Sequence, residues 1–186
     1  MELMDAIRNR RAVREYTSEP VAPDTIRALI EAATLAPSAV NAQPWLFTVI
    51  RDGKVLDRIS AAAKAHMLTL IGEGSGLHGM REHLTNPEFH IFYHAPVLIL
   101  ISASGSDGWA VEDATLAAEN LMLAACDKGL GTCWIGFAQR WLETEDGRRT
   151  AGFSAEFRPV APIIVGHPKG ASPAVPRNAP TIHWIG

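Results

Sequence analysis

Cysteine is nearly absent: among 186 residues only Cys126 and Cys133 occur. They do not form a tight pair, so they read as reduced thiols in a cytoplasm rather than as a disulfide framework. Charge of one sign is lacking as well. A net charge of -3 argues against general affinity for nucleic acid. The longest apolar run, Ala95 to Ile101, is far too short to span a bilayer, so no membrane association is expected. The first turns carry Glu2, Asp5 and Arg8 with no apolar signal core behind them, so export is not expected either. Internal repeats and low-complexity segments are missing. Histidines crowd one region as His78, His83, His90 and His94, and His90 and His94 stand at the i, i+4 spacing that one helix face offers a metal. No cysteine or acid completes a ligand set, and Phe89, Phe92 and Tyr93 around them read as packing, so no metal is expected. No side chain has the setting of an essential general acid or base, so no catalytic residue is assigned.

What is present is an ordinary globular composition, 47% hydrophobic and 20% charged, on a chain long enough to bury a core. The expectation is one domain over 1–186. Helical spacing of apolar residues appears at Met1 to Arg10, Pro23 to Leu35 and Val55 to Met67, and over Ala110 to Lys128, which is apolar nearly all round. Strand-like patterns occupy Trp45 to Ile50, Pro96 to Ser102, Thr132 to Phe137 and Arg158 to Gly166. Together they predict an α+β fold, a central mixed sheet of about five strands flanked by helices. Beyond Ser172 the chain is proline-rich and reads as extended.

Three stretches carry chemistry. Arg8, Arg10, Arg11 and Arg14 put four guanidinium groups close together at and beyond a helix end. Helix-dipole pairing accounts for one or two of them. Four repel one another unless an anion sits among them, and arginine forks match phosphate oxygens. The second stretch, Ala36-Pro37-Ser38-Ala39-Val40-Asn41-Ala42-Gln43-Pro44-Trp45, packs polar side chains between rigid prolines and a tryptophan. It reads either as a capped helix end with a loop or as hydrogen-bonding groups held against a flat ligand. In the third, Gly136 follows a short strand and either makes a simple turn or lets a backbone approach something closely. A fourth pattern, Gly74-Ser75-Gly76-Leu77-His78-Gly79, matches the dinucleotide fingerprint formally. It lacks the acid about 20 residues on that the motif requires, and it reads better as a glycine-rich loop.

Pro37-Ser38, Asn41 and Gln43-Pro44-Trp45 resemble the flavin-contacting loop of the nitroreductase family, the FMN-dependent NAD(P)H oxidoreductases. The arginine run, the helix–glycine–strand unit ending at Gly136, and Gly166-His167-Pro168 with the terminal Ile182-His183-Trp184 are similar to further parts of that family in the same order. The resemblance spans Arg10 to Trp184. It implies bound FMN, with Arg10 and Arg11 at the phosphate, Arg14 near the flavin N1 and O2, and Arg177 reaching the phosphate from the tail. Pro37, Ser38, Ala39 and Asn41 would contact the flavin. Trp134, Ile135 and Gly136 would pack on the ring, a main-chain N–H donating to N5. Family members often carry Ser where this chain has Ala12, which leaves Ala12 a backbone role. Many carry Glu where it has Ile135.

The resemblance further implies an intertwined homodimer in which the arginine segment and the Pro37 to Trp45 loop meet across the interface around one FMN. The C-terminal arm 172–186 would reach the partner subunit. The implied activity is ping-pong transfer of reducing equivalents from NADH or NADPH to a small acceptor such as a nitroaromatic, quinone or enone. Two alternatives stand beside it: a flavin-binding or regulatory protein without useful turnover, and a dinucleotide-fold dehydrogenase that holds no flavin.

Overall fold

A computed structural model describes residues 1–71, 78–105 and 108–186. Its framework is a four-stranded sheet in the order β1-β2-β4-β3, formed by β1 (Trp45–Ile50), β2 (Val97–Ser104), β3 (Gly131–Trp134) and β4 (Phe157–Gly166). Around it lie α1 (Leu3–Asn9), α2 (Pro23–Thr34), α3 (Gly53–Leu70), α4 (His78–Thr85), α5 (Ala110–Asp127), α6 (Gly136–Leu142) and α7 (Glu145–Ala151).

The α+β class stands, with two differences in the sheet. All strand pairs are antiparallel, and the described strands number four rather than about five. The only parallel pairing among the described residues is one isolated bridge, Ala12 to Thr132. The physical reason lies in β2. Its continuous apolar run is the mark of a strand covered on both faces, which is commonest in parallel sheets. Here helices cover both faces of an antiparallel sheet. Val97, Ile99, Ile101 and Ala103 pack with α2 and α5, whereas Leu98 and Leu100 face a second cluster with α3, α6 and α7. Pro159 and Pro162 sit in the interior strand β4, where a missing N–H is normally penalised. The register slips between Ile101 and Ser102 of β2, opposite Ala161 and Pro159, which eases Pro159, while Pro162 lies just past the last β3–β4 pair, Trp134 with Ile163.

Four further details differ from the sequence reading. The helix α3 runs on to Leu70, past the expected end at Met67. A dinucleotide fingerprint needs a strand immediately ahead of it, and that condition fails. The Gly74 to Gly79 motif itself lies mostly outside the described residues. The Thr132 to Phe137 pattern is strand only to Trp134, and Gly136 opens α6. His90 and His94 lie in a turn rather than on a helix, with the unusual positive φ of 54° at His94. Finally, α6 and α7 occupy a stretch in which the sequence reading placed no element. Among the described residues no helix is long and apolar enough to cross a membrane.

Candidate functional site

The arginine segment leaves α1 in extended form and docks along β3. The Val13 N–H donates to the Thr132 carbonyl at 2.9 Å. Val13 is buried, while Ala12 and Arg14 face out, the two-residue alternation of a strand. The approach depends on Gly131. A Cβ there would lie 2.8 Å from the Val13 side chain, so a bare backbone is what lets the segment settle. The Tyr16 hydroxyl donates to the Val13 carbonyl at 2.7 Å and anchors the far end.

These contacts set out the three arginines in order. Arg10 Nε lies 3.6 Å from Glu119 Oε1 on α5. Arg11 Nη1 donates to the carbonyls of Arg8 and Arg10, the second at 2.8 Å. Its Nε is buried without a hydrogen-bond partner. The Arg14 guanidinium sits 5.9 Å from the centroid of the Tyr93 ring, a cation–π distance.

Three depressions join through these residues into one groove. The first, about 210 Å³, is bounded by Arg10, Arg11, Cys126 and Gly131. The second, about 340 Å³, runs past Arg11, Ala12 and Arg14 to Gly170 and Ser172. The third, also about 340 Å³, shares Arg14 and continues over Tyr93, Cys133, Trp134, Ile135, Gly136 and Phe137. The groove is cationic at one end and apolar and aromatic at the other. Burial pushes the Cys133 thiol up, and burial pushes the Tyr16 phenol up too, so neither supplies an anion here. The Ile135 N–H donates to the Pro162 carbonyl at 2.8 Å. The N–H groups of Gly136 and Phe137, in the first turn of α6, have no acceptor within their helix. A slightly larger cavity of about 370 Å³ lies apart from this groove, between Arg51, Asp57, His90 and His94. It lacks both the arginine run and a flat apolar floor, so size alone does not mark the functional site.

The Pro37 to Trp45 loop is strongly shaped, but it does not line the groove of its own chain. Val40, Asn41 and Gln43 hold positive φ of 47°, 57° and 48° without being glycine. Backbone of this kind costs about 1–3 kcal/mol per residue and clusters at functional sites. The Ser38 hydroxyl accepts from the Gln43 N–H at 3.0 Å, and the Asn41 side chain accepts from Gln43 Nε2 at 3.1 Å. Pro37 and Asn41 are exposed, and Ser38 and Ala39 are half-buried.

Of the residues expected at the site, Arg10, Arg11, Ala12, Arg14, Trp134, Ile135 and Gly136 come together in the groove. Pro37, Ser38, Ala39 and Asn41 form a separate exposed loop, and Arg177 is exposed on the tail. Sequence reasoning missed Gly131 as the residue that admits the arginine segment, and it missed Tyr93 beneath Arg14. A second glycine just after a helix-capping glycine was the available signal for Gly131. Tyr93 gave none, because its place depends on a positive φ of 51° that no local motif encodes. Among the described residues no group of three His, Cys, Asp or Glu side chains is arranged to hold a metal ion.

An antiparallel sheet wrapped by helices, with an arginine-headed groove at its β3 edge, defines an α+β protein whose groove is cationic at one end and apolar and aromatic at the other. The model of the Nitroreductase family matches residues 7–167, and the chain belongs to that family. A protein of Methanothermobacter thermautotrophicus, provisionally named NADH dehydrogenase/NAD(P)H nitroreductase, is 28% identical over 176 residues, covering 90% of this chain and 78% of the relative. The iodotyrosine deiodinase of Thermotoga neapolitana is 28% identical over 187 residues, covering 98% of this chain and 97% of that protein. Among solved structures, the nitroreductase of Bacteroides fragilis with bound FMN superposes with a TM-score of 0.87 at 25% identity, each chain covered completely.

Proposed function

We propose that this chain is an FMN-dependent oxidoreductase that takes reducing equivalents from NADH or NADPH and passes them to a small acceptor such as a nitroaromatic, quinone or enone, in a ping-pong cycle. The observation that carries the reading is the groove's polarity together with the orphaned Arg11 Nε. A buried guanidinium nitrogen without an acceptor is unfavourable unless a ligand oxygen completes it. FMN has the matching shape, a phosphate dianion joined by a polar chain to a flat ring. The residues present fit it. Arg10 and Arg11 would hold the phosphate, and Ala12 and Arg14 would flank the chain. Trp134, Ile135 and Gly136 would support the ring, with the Gly136 N–H as a donor at its edge.

When bound, FMN supplies the hydride chemistry, and the protein binds, orients and tunes it. Arg14 would place positive charge beside the ring edge where negative charge builds on reduction. The Tyr93 ring, 5.9 Å away in the same lining, helps to hold that guanidinium. Ile135, which is buried, puts no carboxylate near the ring, so the cofactor face is apolar apart from Arg14. Such a face suits flat, neutral or electron-poor acceptors. The range of relatives supports leaving the acceptor at that chemical class, since one carries the name of a deiodinase.

The proposal includes a homodimer with two shared sites and an arm at 172–186 that crosses to the partner. Leu3, Met4 and Ile7 on α1 and Leu116 on α5 are exposed, as are Ile182, Trp184 and Ile185 on the tail. Exposed apolar groups on three elements suit burial against a second copy, and two-fold pairs are the commonest closed assemblies. The Pro37, Ser38, Ala39 and Asn41 loop lies away from its own groove, as expected of a loop that serves a partner's site, and Arg177 would join the phosphate end.

A flavin protein without useful turnover is a second reading, favoured because no carboxylate or histidine among the described residues lines the ring end of the groove. Steady-state oxidation of NADH and NADPH by the FMN-loaded protein, at several concentrations of a quinone, separates the two. Parallel double-reciprocal lines with turnover are expected of the enzyme. Stoichiometric FMN binding without turnover would establish the second reading instead.

A further inference from the structure

The connection between α2 and β1 holds a shape that its own sequence disfavours. Val40 is β-branched, 98% exposed and at a φ of 47°, a combination that persists only where the surroundings impose it. Inside the loop, the bonds to Ser38 and Asn41 shape the turn without fixing it to the molecule. Bonds to β2 and α5 do fix it. At one end the Pro44 carbonyl accepts from the Ser104 N–H at 3.0 Å. At the other, the Ala39 N–H donates to Asp113 Oδ1 at 3.0 Å.

Asp113 is unusual. It is 5% exposed, on a helix face otherwise built from Ala110, Ala114, Ala117, Leu121 and similar apolar residues. A buried carboxylate is unfavourable unless bonded, and a small apolar side chain would fit that face without the penalty. The first turn of α5 eases the charge but gives no reason for its presence. Among the described residues the Ala39 N–H is the carboxylate's one hydrogen-bond partner, so its role is to place Ala39.

We propose that Asp113 is a positioning residue for the cofactor loop. It clamps Ala39 so that Ser38, Ala39 and Asn41 are presented to the flavin in one geometry. The inference rests on the reading of this loop as part of an FMN site. Six residues further along the same helix, Glu119 meets Arg10. One rigid element, α5, therefore sets the spacing between the loop and the phosphate-binding segment.

The test is FMN affinity and FMN dissociation rate, read from flavin fluorescence well below the melting temperature, for wild type, Asp113→Ala and Asp113→Asn. Loss of a hydrogen bond to a charged group should raise Kd about ten- to hundred-fold in Asp113→Ala. Asp113→Asn keeps an acceptor in the same place and should stay within about three-fold of wild type. Wild-type Kd and dissociation rate in Asp113→Ala would overturn the proposal, even with a lowered melting temperature. An asparagine variant as weak as the alanine one would overturn it too, in favour of a pure charge effect. Should Asp113→Ala not fold, Ala39→Pro removes the donor and leaves α5 intact. It follows an extended Ser38 at φ −140° and ψ 152°, a setting that accepts proline. Wild-type affinity in that variant would again contradict the proposal. A wild-type protein that does not bind FMN would instead refute the flavin reading itself.

Discussion

Arg11 concentrates the argument at the scale of single residues. Its Nη1 is satisfied by the protein's own carbonyls, and its Nε is left buried without an acceptor. Arg11→Ala should weaken FMN binding by about 1.5–3 kcal/mol, the range for hydrogen bonds to charged groups. Arg177→Ala should do so less, and with a steeper loss as salt is raised, because Arg177 is exposed. Isothermal titration at two ionic strengths checks both. His90 gives a prediction about pH. Burial, and then the neighbouring His94, lower its pKa from 6.5, while Asp57 at 3.2 Å opposes the shift. Lys64 also lowers it. A base with a depressed folded-state pKa binds fewer protons folded than unfolded, so stability falls as pH drops below about 6.5. Melting curves from pH 8 to 5 should show this decline, and His90→Gln should flatten it. The arginine run was legible in the sequence because like charges in series demand an explanation. Asp113 was not: an acid in the first turn of a helix looks ordinary until its burial and its partner 74 residues away are seen.

Elements show where local pattern is sufficient and where it is not. The helices α2, α3 and α5 and the strands β1, β2 and β4 were legible because their apolar periodicity is long and regular. Strand direction was not, because a strand buried on both faces reads alike whether its neighbours run parallel or antiparallel. The helix α6 escaped because its first residues were read into the Thr132 to Phe137 strand, and α7 because Glu145 to Ala151 carries no apolar stripe. The junction of β3 with the arginine segment makes the strongest claim at this scale. Gly131→Ala would drive a methyl group into Val13 and push Ala12 and Arg14 out of register. A stability loss of about 1–3 kcal/mol is expected for such overpacking, together with weaker FMN binding. Val13→Gly in the same chain removes all three clashing carbons and should restore part of both, which thermal melts and FMN titration of the single and double variants would show.

At the scale of the whole molecule, the proposed dimer rests on three features of the single chain. It has a groove with a phosphate end and a ring floor, a shaped loop that lies elsewhere, and apolar groups left uncovered on α1, α5 and the tail. Trp184 is 85% exposed at the end of an extended arm. Deleting Thr181 to Gly186 should therefore weaken dimerisation and FMN binding together, since a ligand shared by two chains stabilises their association by mass action. Sedimentation at micromolar concentration with and without FMN measures the coupling, and a monomer that keeps its full complement of FMN would rule out shared sites. The most direct test of the central claim is the visible spectrum of the FMN-loaded protein under anaerobic addition of NADH or NADPH, followed by a quinone. The account predicts that the flavin absorbance bleaches on adding the donor and returns on adding the quinone. A flavin spectrum that neither donor bleaches, or a protein that retains no flavin, would contradict it.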